Sequence, residues 1–478
     1  MKGAGRGMRA MAYRVLSGLG LTLLIWILVL AWWQSNDHQP SSADLLLYLV
    51  AVPGALIAGY WLLRGVIEQL KAPPLALSPA PLVPDDDPLS GARAISTATE
   101  RGFSLFLVDA WVHVAAGNSA DDIVAAVEAG SRPGPSEEIM DDAGFPVFAA
   151  EVKDIDVDGM NEQLLRDGKD IHPALAIPAI LRSIVLLDGV MAAAMDRAKE
   201  IMESAGEKIS LQVFWLLPGD WDPAHRDALR GWFEKTCGAG HFASTHDVHL
   251  ISVASEADAM KQLDELILRA NRSLPDKTLM LIAGAVSAVD EQVVARWSSR
   301  QGLFSAGHQQ GQIPGEGAVA LLLAERNAVE FLRLEDVAEV SRVMLGARDK
   351  RLDAGGRISG RLVEQLLAGL LDSSGLEGES IKAVVLDTDH RVGHVAEAME
   401  GVLGSLPHLD PVSDFLATGS ACGALDPIGS LVALACARTK VLAGQSPVIC
   451  LSNQHALERA MLIVSPFVAS DKTEPRIS

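Results

Sequence analysis

The sequence predicts an α/β protein whose two halves repeat one plan, preceded by a membrane-spanning segment. From about Gly102 onward, short apolar runs alternate with amphipathic helical patterns, which is typical of an α/β protein. A similar succession follows after residue 331. Between the two, the stretch Gly311–Ala324 passes through a glycine turn into a seven-residue apolar run, which predicts a strand buried on both faces.

The first half contains strands and helices in alternation. Ser119 precedes the first predicted helix and suits an N-cap, because its hydroxyl can accept from an unpaired amide of the first turn. Strands are predicted at Ser104–Val108, Leu211–Leu217, His249–Val253 and Thr278–Ala285, with extended chain at Phe145–Asp156. Helices are predicted at Ala120–Ala129, Ile180–Ser204, Asp220–Lys235 and Ala254–Ala270.

The second half follows the same alternation. Strands are predicted at Glu339–Ala347, Ile381–Leu386, Pro447–Ser452 and Met461–Val464. Helices are predicted at Ser359–Asp372, Val395–Leu403 and Leu431–Leu442. A glycine-rich loop, Thr418–Ser430, leads into the last of these helices.

Two uncharged runs near the N-terminus predict a helical hairpin through a membrane. Each run, 15–33 and 45–63, would span roughly 28 Å as a helix, the thickness of a bilayer core. Lysine and arginine flank the pair and are missing from the short loop between the runs. The excess of basic residues places both ends in the cytoplasm. We therefore expect a multi-pass protein of the inner (cytoplasmic) membrane, anchored in lipid, with a large cytoplasmic C-terminal body.

The predicted anchor, 1–71, is followed by a predicted linker, 72–101. The linker begins with a proline-rich stretch, which we expect to be extended and semi-rigid. The remaining chain divides into an N-terminal half, 102–330, and a C-terminal half, 331–478.

The composition excludes some classes of function. The formal net charge is −21, which argues against nucleic-acid binding because phosphate contacts need clustered lysine and arginine. Neither cysteine nor histidine occurs at a metal-ligand spacing, and no phosphate-binding or dinucleotide motif follows a strand. We expect no metal and no cofactor.

Several motifs resemble, in order, those of the β-ketoacyl synthases, a family of condensing enzymes with a thiolase-like fold. They are a Gly-Asn-Ser turn before the first helix, the segment Gly144–Asp156, the Gly-Glu-Gly-Ala turn beginning at Gly315, and the glycine-rich loop that contains Gly419. The similarity covers about Gly102–Pro466. It implies a duplicated thiolase-like αβαβα body.

The resemblance also shows where condensation chemistry should lie. Condensing enzymes need a thiolate nucleophile and two histidines that promote decarboxylation and stabilise the oxyanion. The position of the cysteine falls on Val253, those of the two histidines on Leu386 and Ser420, and that of a lysine on Phe415. Ser252 and Ser255 lie near the first position, but the neighbouring Glu256 opposes an anionic nucleophile. The sequence therefore predicts a body without condensing activity.

The residues that shape the fold are retained: Gly315, Glu316, Gly317, Gly419 and Gly423. Their predicted role is architectural. Cys422 has two interpretations, a thiol acidified by a helix N-terminus or a small buried residue that fills the loop.

A second candidate cluster follows a predicted strand. Asp387, Asp389 and His390 could form a metal or acid–base cluster, or they could lie in a solvated loop. The pattern favours the solvated loop.

Two functions fit these observations. One is a membrane-anchored, non-catalytic adaptor or scaffold for a cytoplasmic, secretion or envelope partner. The other follows from the resemblance: a subunit like the chain-length factors, which shape the acyl tunnel of a ketosynthase making fatty-acid, polyketide or polyene chains. The resemblance further implies a homodimer, or a heterodimer with a ketosynthase-like protein, through the strand His249–Val253. A client protein or an acyl carrier protein could be the further partner.

Overall fold

The computed structural model describes Trp32 and residues 99–468, except 142, 168–171, 206–208, 237–245, 274–276 and 355. Apart from Trp32, the predicted spans at 15–33 and 45–63 lie outside the described residues, as does almost all of the linker. One described helix, Pro178–Ser204, has the length and apolarity of a membrane span, and 56% of its apolar window is buried within the protein.

The N-terminal half forms five strands of the main sheet and a separate two-stranded hairpin. Its strands are β1 (Ser104–Val114), β2 (Gly134–Met140), β3 (Pro146–Ala149), β4 (Ser210–Pro218), β5 (His246–Val253), β6 (Thr278–Ser287) and β7 (Glu316–Ala324). Its helices are α1 (Ala120–Glu128), α2 (Val157–Asp167), α3 (His172–Leu175), α4 (Pro178–Ser204), α5 (Pro223–Thr236), α6 (Glu256–Ser273), α7 (Glu291–Ser299) and α8 (Arg326–Leu332).

The C-terminal half is shorter. Its strands are β8 (Ala338–Ser341), β9 (Met344–Ala347), β10 (Ala383–Leu386), β11 (Phe415–Ala417), β12 (Val448–Ser452) and β13 (Glu458–Pro466). Its α-helices are α9 (Arg361–Ser374), α10 (Val392–Ser405), α11 (Gly419–Cys422) and α12 (Gly429–Gly444), and two short 3₁₀ turns lie at Leu352–Ala354 and Gly378–Ser380.

The topology of the main sheet shows the internal repeat. Its strand order is β11-β10-β12-β13-β8-β1-β7-β6-β4-β5, and β9 also pairs with β13. In the first half, β4 is parallel to β5 and β6, and β7 is antiparallel to β6 and β1. In the second half, β10 is parallel to β11 and β12, and β13 is antiparallel to β12 and β8. Antiparallel pairing of β1 with β8 joins the two halves into one sheet.

Three cores give the protein five layers. The central core lies between the two half-sheets and contains apolar side chains of α1, α6 and α12. A second core packs α4 and α5 against the other face of the first half-sheet, and a third packs α9 and α10 against the other face of the second. The helix α12 is buried on nearly its whole circumference until Ala437, as expected for a helix in a central layer. The αβαβα arrangement predicted from the sequence is therefore present.

Some local predictions were wrong. The strand predicted to end at Val108 continues to Val114, because alternating apolar residues extend its pairing with β7. The segment predicted as extended to Asp156 leaves the strand conformation after Ala149, and Asp154 has a φ of 62°. The prediction at Ser119 was correct: its side chain accepts from the Asp122 amide at the N-terminus of α1.

Candidate functional site

The glycine turn that precedes β7 contacts the glycine-rich loop of the second half. The Ala424 amide donates to the Ile313 carbonyl at 2.9 Å, and a side chain at Gly315 would overlap the Cys422 carbonyl oxygen. Gly423 has a φ of 69° and lies against Gly315. Both glycines are needed because no Cβ fits in this contact.

Glu316 is fully buried and connects three parts of the first half. Its carboxylate accepts from the Val152 amide at 2.9 Å, from the Ser287 hydroxyl at 2.8 Å, and from Arg182 Nε at 2.8 Å and Nη2 at 2.5 Å. Its oxygens are thus engaged by the chain after β3, by α4 and by the end of β6. No part of the Glu316 side chain is exposed, so its carboxylate holds these three segments together from within the core.

The junction of β5 and α6 lies where the resemblance places a nucleophile. Val253 is the last residue of β5 and is 1% exposed. Ser255 caps α6 by accepting from the Asp258 amide at 3.1 Å, and its hydroxyl donates to Glu458 at 2.5 Å. Ser255 therefore has a structural task as the cap of α6, and the acceptor of its hydroxyl is the Glu458 carboxylate rather than a histidine.

Two predicted positions of the second half, Leu386 and Ser420, lie where β10 and β11 end, whereas Phe415 is the first residue of β11. Leu386 ends β10, and its carbonyl accepts from the Thr418 amide at 2.9 Å. A Cβ on Gly419 would overlap the Asp387 carbonyl oxygen. The Ser420 hydroxyl donates to the Ala417 carbonyl at 2.6 Å, and Phe415 packs against the third core. None of these side chains has a group that would act as a base here.

The Cys422 thiol is fully buried at the C-terminal end of the short helix α11. Burial raises its pKa to about 12, so the thiolate does not form at neutral pH. Cys436 and Cys450 are also free and buried; Cys237 lies outside the described residues.

Asp387 and Asp389 are buried, so the interpretation as a solvated loop was wrong. Asp387 accepts from the amides of Asn453 at 2.9 Å and Gln454 at 3.2 Å, and from the Ser452 hydroxyl. Asp389 accepts from Gln454 Nε2 at 2.7 Å and from Arg391 Nε at 2.9 Å. Except for Arg391, these donors come from Ser452 at the end of β12 and from the loop that follows it. No local pattern in the sequence indicates that this loop meets the end of β10.

The pKa values of Asp387 and Asp389 are shifted in opposite directions. Burial raises the pKa of Asp387 to about 6, although hydrogen bonds from Ser452 and the loop amides oppose the shift. Burial acts in the same direction on Asp389, but Arg391 overcomes it and lowers the pKa of that carboxyl. Burial and the charge of Arg391 lower the pKa of His394 to about 4. His394 is therefore neutral at pH 7, with Nδ1 at 2.7 Å from the Asn453 carbonyl oxygen.

Two cavities meet at Asp426, in the loop between α11 and α12. The first, of about 600 Å³, is lined by Val253, Ala254 and Asp426 among others. The second, of about 850 Å³, is lined by Glu256, His394 and Asp426 among others. Asp426 lines both cavities and is exposed to solvent there. Concave sites with a few convergent polar groups are the usual form of a small-molecule site.

Three carboxyl groups are concentrated at this meeting point: Glu256, Asp387 and Asp426. Burial raises the pKa of Asp426 to about 7, helped by the charges of Asp220, Asp387 and Glu458. Burial, together with the charges of Asp426 and Asp387, raises the pKa of Glu256 well above its ordinary value. Neighbouring acids that shift one another in this way share protons near neutral pH.

No protein-family model matches the sequence, and neither does any curated protein. Solved structures do match. A type II polyketide synthase acyl-carrier protein in complex with its ketosynthase gives a TM-score of 0.52 at 10% identity, covering 77% of this chain and 100% of that chain. The ishigamide ketosynthase/chain length factor gives a TM-score of 0.51 at 15% identity, and the match covers 77% of this chain and 100% of that chain. The oxazolomycin ketosynthase domain of Streptomyces albus JA3453 gives a TM-score of 0.52 at 13% identity, and the match covers 76% of this chain and 75% of that chain.

The protein has the ketosynthase fold. The similarity is structural, at identities of 15% or less in these three cases, so the chemistry of this ketosynthase-like body has to be inferred from its own side chains. Among the residues that the structure describes, no group of three or more His, Cys, Asp and Glu side chains is placed to hold a metal ion.

Sequence reasoning missed two of the three central carboxyl groups as site residues. Glu256 was considered only as a neighbour that disfavours a nucleophile, and Asp426 was not considered. One signal was available: Asp426 is an isolated acid within a long run of small and apolar residues. Apolar surroundings raise the pKa of a carboxyl group, and groups with shifted pKa values are concentrated at functional sites.

Proposed function

We propose that this protein is a non-condensing ketosynthase-like subunit, of the chain-length-factor type, that pairs with another ketosynthase-like chain. The observation that carries the proposal is the β5–α6 junction, where Val253, the residue that the resemblance aligns with the nucleophile, lines a cavity of about 600 Å³. A valine side chain has no lone pair for acyl transfer, whereas the cavity can still hold a chain. The likeness to a ketosynthase/chain length factor structure is consistent with this reading.

The proposed pairing surface is β5, the last strand of the sheet. One edge of β5 is hydrogen-bonded to β4. Within the described residues, no strand pairs with the other edge of β5. Open strand edges bind other strands readily. The partner is a second copy or an active relative, and an acyl carrier protein would deliver the acyl chain.

The first experiment tests chemistry and pairing together. The purified full chain, in detergent, is incubated with malonyl-loaded and acyl-loaded acyl carrier protein, and acylation is followed by intact-mass spectrometry. We expect no acylated protein; acylation at Cys422 or a serine would refute the absence of condensing chemistry.

In native mass spectrometry, Leu250→Asp on β5 should abolish the dimer. Val412→Asp, a matched change at an exposed site, should leave the dimer intact.

A second candidate is a membrane-anchored adaptor or scaffold for a cytoplasmic, secretion or envelope partner. The predicted hairpin at 15–33 and 45–63 and the strongly acidic composition favour it. Val253→Phe separates the two, since it fills the cavity without changing the surface. A chain-length-factor role predicts that a paired ketosynthase makes shorter products with this variant. A scaffold role predicts unchanged products and unchanged membrane recruitment of the client.

A further inference from the structure

The hairpin of β2 and β3 has one packed face and one exposed face. Inner side chains such as Ile139 and Val147 pack in a small core that includes residues of α7. The strand register places Met140 and Phe148 on the outer face, where they are 45% and 38% exposed, and Phe145 in the turn is 68% exposed. An exposed sheet face is ordinarily polar. Packing within the protein therefore does not explain these three outer side chains.

The turn of the hairpin is held by backbone hydrogen bonds. The Asp141 carboxylate accepts from the amides of Ala143 at 2.9 Å and Phe145 at 2.8 Å. The Asp141 amide donates to the Phe145 carbonyl at 2.8 Å, and Gly144 supplies a φ of 81°. The backbone that presents Phe145 to solvent is thus fixed before any partner binds. A surface ordered in this way loses little conformational entropy on binding.

The exposed apolar surface continues onto two other segments. The rings of Phe148 and Phe304 meet edge to face with their centroids 5.3 Å apart, and those of Phe304 and His390 with their centroids 4.9 Å apart. Phe304 and His390 are both partly exposed. Contiguous exposed apolar surface marks an interaction site, and aromatic residues and methionine are enriched in protein interfaces. We call Met140, Phe145, Phe148, Phe304 and His390 the hairpin patch.

The chain around the hairpin is acidic. Residues 131–156 contain seven aspartate and glutamate residues against two bases, Arg132 and Lys153. Glu137 and Glu138 of β2 are both exposed. Beside Phe304 the chain carries Arg300, so the negative charge is concentrated on the hairpin. A second copy would bring the same negative charge to the contact, and anionic lipid would be repelled in the same way.

We propose that the hairpin patch binds a basic amphipathic segment of a partner protein. Apolar side chains of the segment cover Phe145 and Phe148, and its lysine or arginine side chains face Glu137 and Glu138. The apolar contact supplies most of the affinity, whereas the opposite charges steer the segment and select it against acidic ones. The patch does not include β5, so its occupation does not depend on the pairing proposed above.

Fluorescence anisotropy of a labelled peptide with the full chain in a neutral detergent tests the patch. The probe is a synthetic helix of about four turns with leucine and phenylalanine on one face and lysine on the other. The comparison peptide has glutamate at every lysine position, and protein-free micelles give the blank for each peptide. We expect the lysine peptide to bind at least about tenfold more tightly than the glutamate peptide. Its affinity should fall as the salt concentration rises, because salt screens exposed charges.

Apolar variants locate the binding surface. Phe145→Ser and Phe148→Ser should each weaken binding of the lysine peptide at least about fivefold, since aromatic side chains carry much of the binding energy of an interface. The matched control is Phe331→Ser. Phe331 is 42% exposed, but it follows the end of β7 that is opposite to the hairpin contact at Gly315. This control should change the affinity less than about twofold, and circular dichroism checks that each variant is folded.

Charge variants test the acidic border separately. Glu137→Gln combined with Glu138→Gln should weaken the lysine peptide at least about threefold in low salt and have little effect in high salt. The control is Glu377→Gln combined with Glu379→Gln, which removes two exposed acids at the start of β10 and should leave the affinity unchanged.

The proposal is overturned if the lysine peptide does not bind, if both peptides bind equally, or if the controls weaken binding as much as the patch variants. If the lysine peptide does not bind and Phe148→Ser abolishes the dimer, the patch joins two copies of the chain. If Phe148→Ser instead weakens binding of dihexanoylphosphatidylglycerol, the patch contacts lipid. A dimer that persists in Phe148→Ser while peptide binding is lost separates the patch from the pairing through β5.

Discussion

The ion pair between Arg182 and Glu316 should contribute strongly to stability, and Arg182→Ala tests it. Glu316 is fully buried and the side chain of Arg182 is 16% exposed. Removing the arginine leaves Glu316 with the Val152 amide and the Ser287 hydroxyl, which donate hydrogen bonds but carry no positive charge. Breaking a buried pair from one side costs about 3–5 kcal/mol, because the remaining charge is uncompensated.

Thermal unfolding, followed by circular dichroism, measures the effect. For a protein of this size, about 3 kcal/mol corresponds to a fall in Tm of roughly 3 °C. The control is Arg197→Ala on the same helix. Arg197 is 40% exposed and pairs with Glu200, which is 68% exposed; surface pairs of this kind contribute about 0–1 kcal/mol.

A double replacement separates the charge from the packing. Arg182→Met with Glu316→Gln keeps most of the side-chain volume and leaves no unpaired charge, so it should recover part of the lost stability. The reasoning is refuted if Arg182→Ala unfolds within about 1 °C of Arg197→Ala, or if the double variant is less stable than Arg182→Ala.

Three further predictions follow from the same region. Gly315→Ala should lower Tm by several degrees, because the added Cβ overlaps the Cys422 carbonyl oxygen. In the control, Gly404→Ala, the added Cβ meets no atom within 4 Å, so this variant should be neutral or stabilising. Thermal unfolding of both variants checks this. Cys422, with its pKa raised to about 12, should stay unlabelled by iodoacetamide at pH 8 in the native protein, and rapid labelling would show that the loop opens. Asp426→Asn should raise Tm at pH 8 but not at pH 4. The folded pKa of Asp426, about 7, exceeds its unfolded value, so its ionisation destabilises the fold as the pH rises. Equal shifts at both pH values would contradict this.

Local sequence patterns were enough to predict the alternation of strands and helices. Apolar periodicity located the strands of the main sheet except the three-residue β11, which was not predicted, and β8 and β9 were expected as one strand. Periodicity failed where the segment is short or exposed. The hairpin strand β2 has only two buried residues, so its pattern is no stronger than that of a loop. The helices α2, α3, α7, α8 and α11 were not predicted either.

The candidate site was harder to predict because it is made by contacts distant in sequence. Glu316 is recognisable from its glycine turn, but its partner Arg182 is 134 residues away. Asp387 directly follows an apolar strand, and acids at the start of many solvated loops do the same. Its burial depends on the Ser452–Gln454 loop, and no local pattern shows that the two strand ends are neighbours.

The pairing of β1 with β8 affects how the two halves can be handled in the laboratory. Residues Ser104–Leu107 are hydrogen-bonded to Ala338–Ser341, while the opposite edge of β1 pairs with β7. If the chain were cut between the halves, each fragment would expose a strand that is now internal to the sheet. Exposed, apolar strand edges cause aggregation. The repeated halves are therefore expected to be insoluble when expressed apart, and to fold only as one continuous unit.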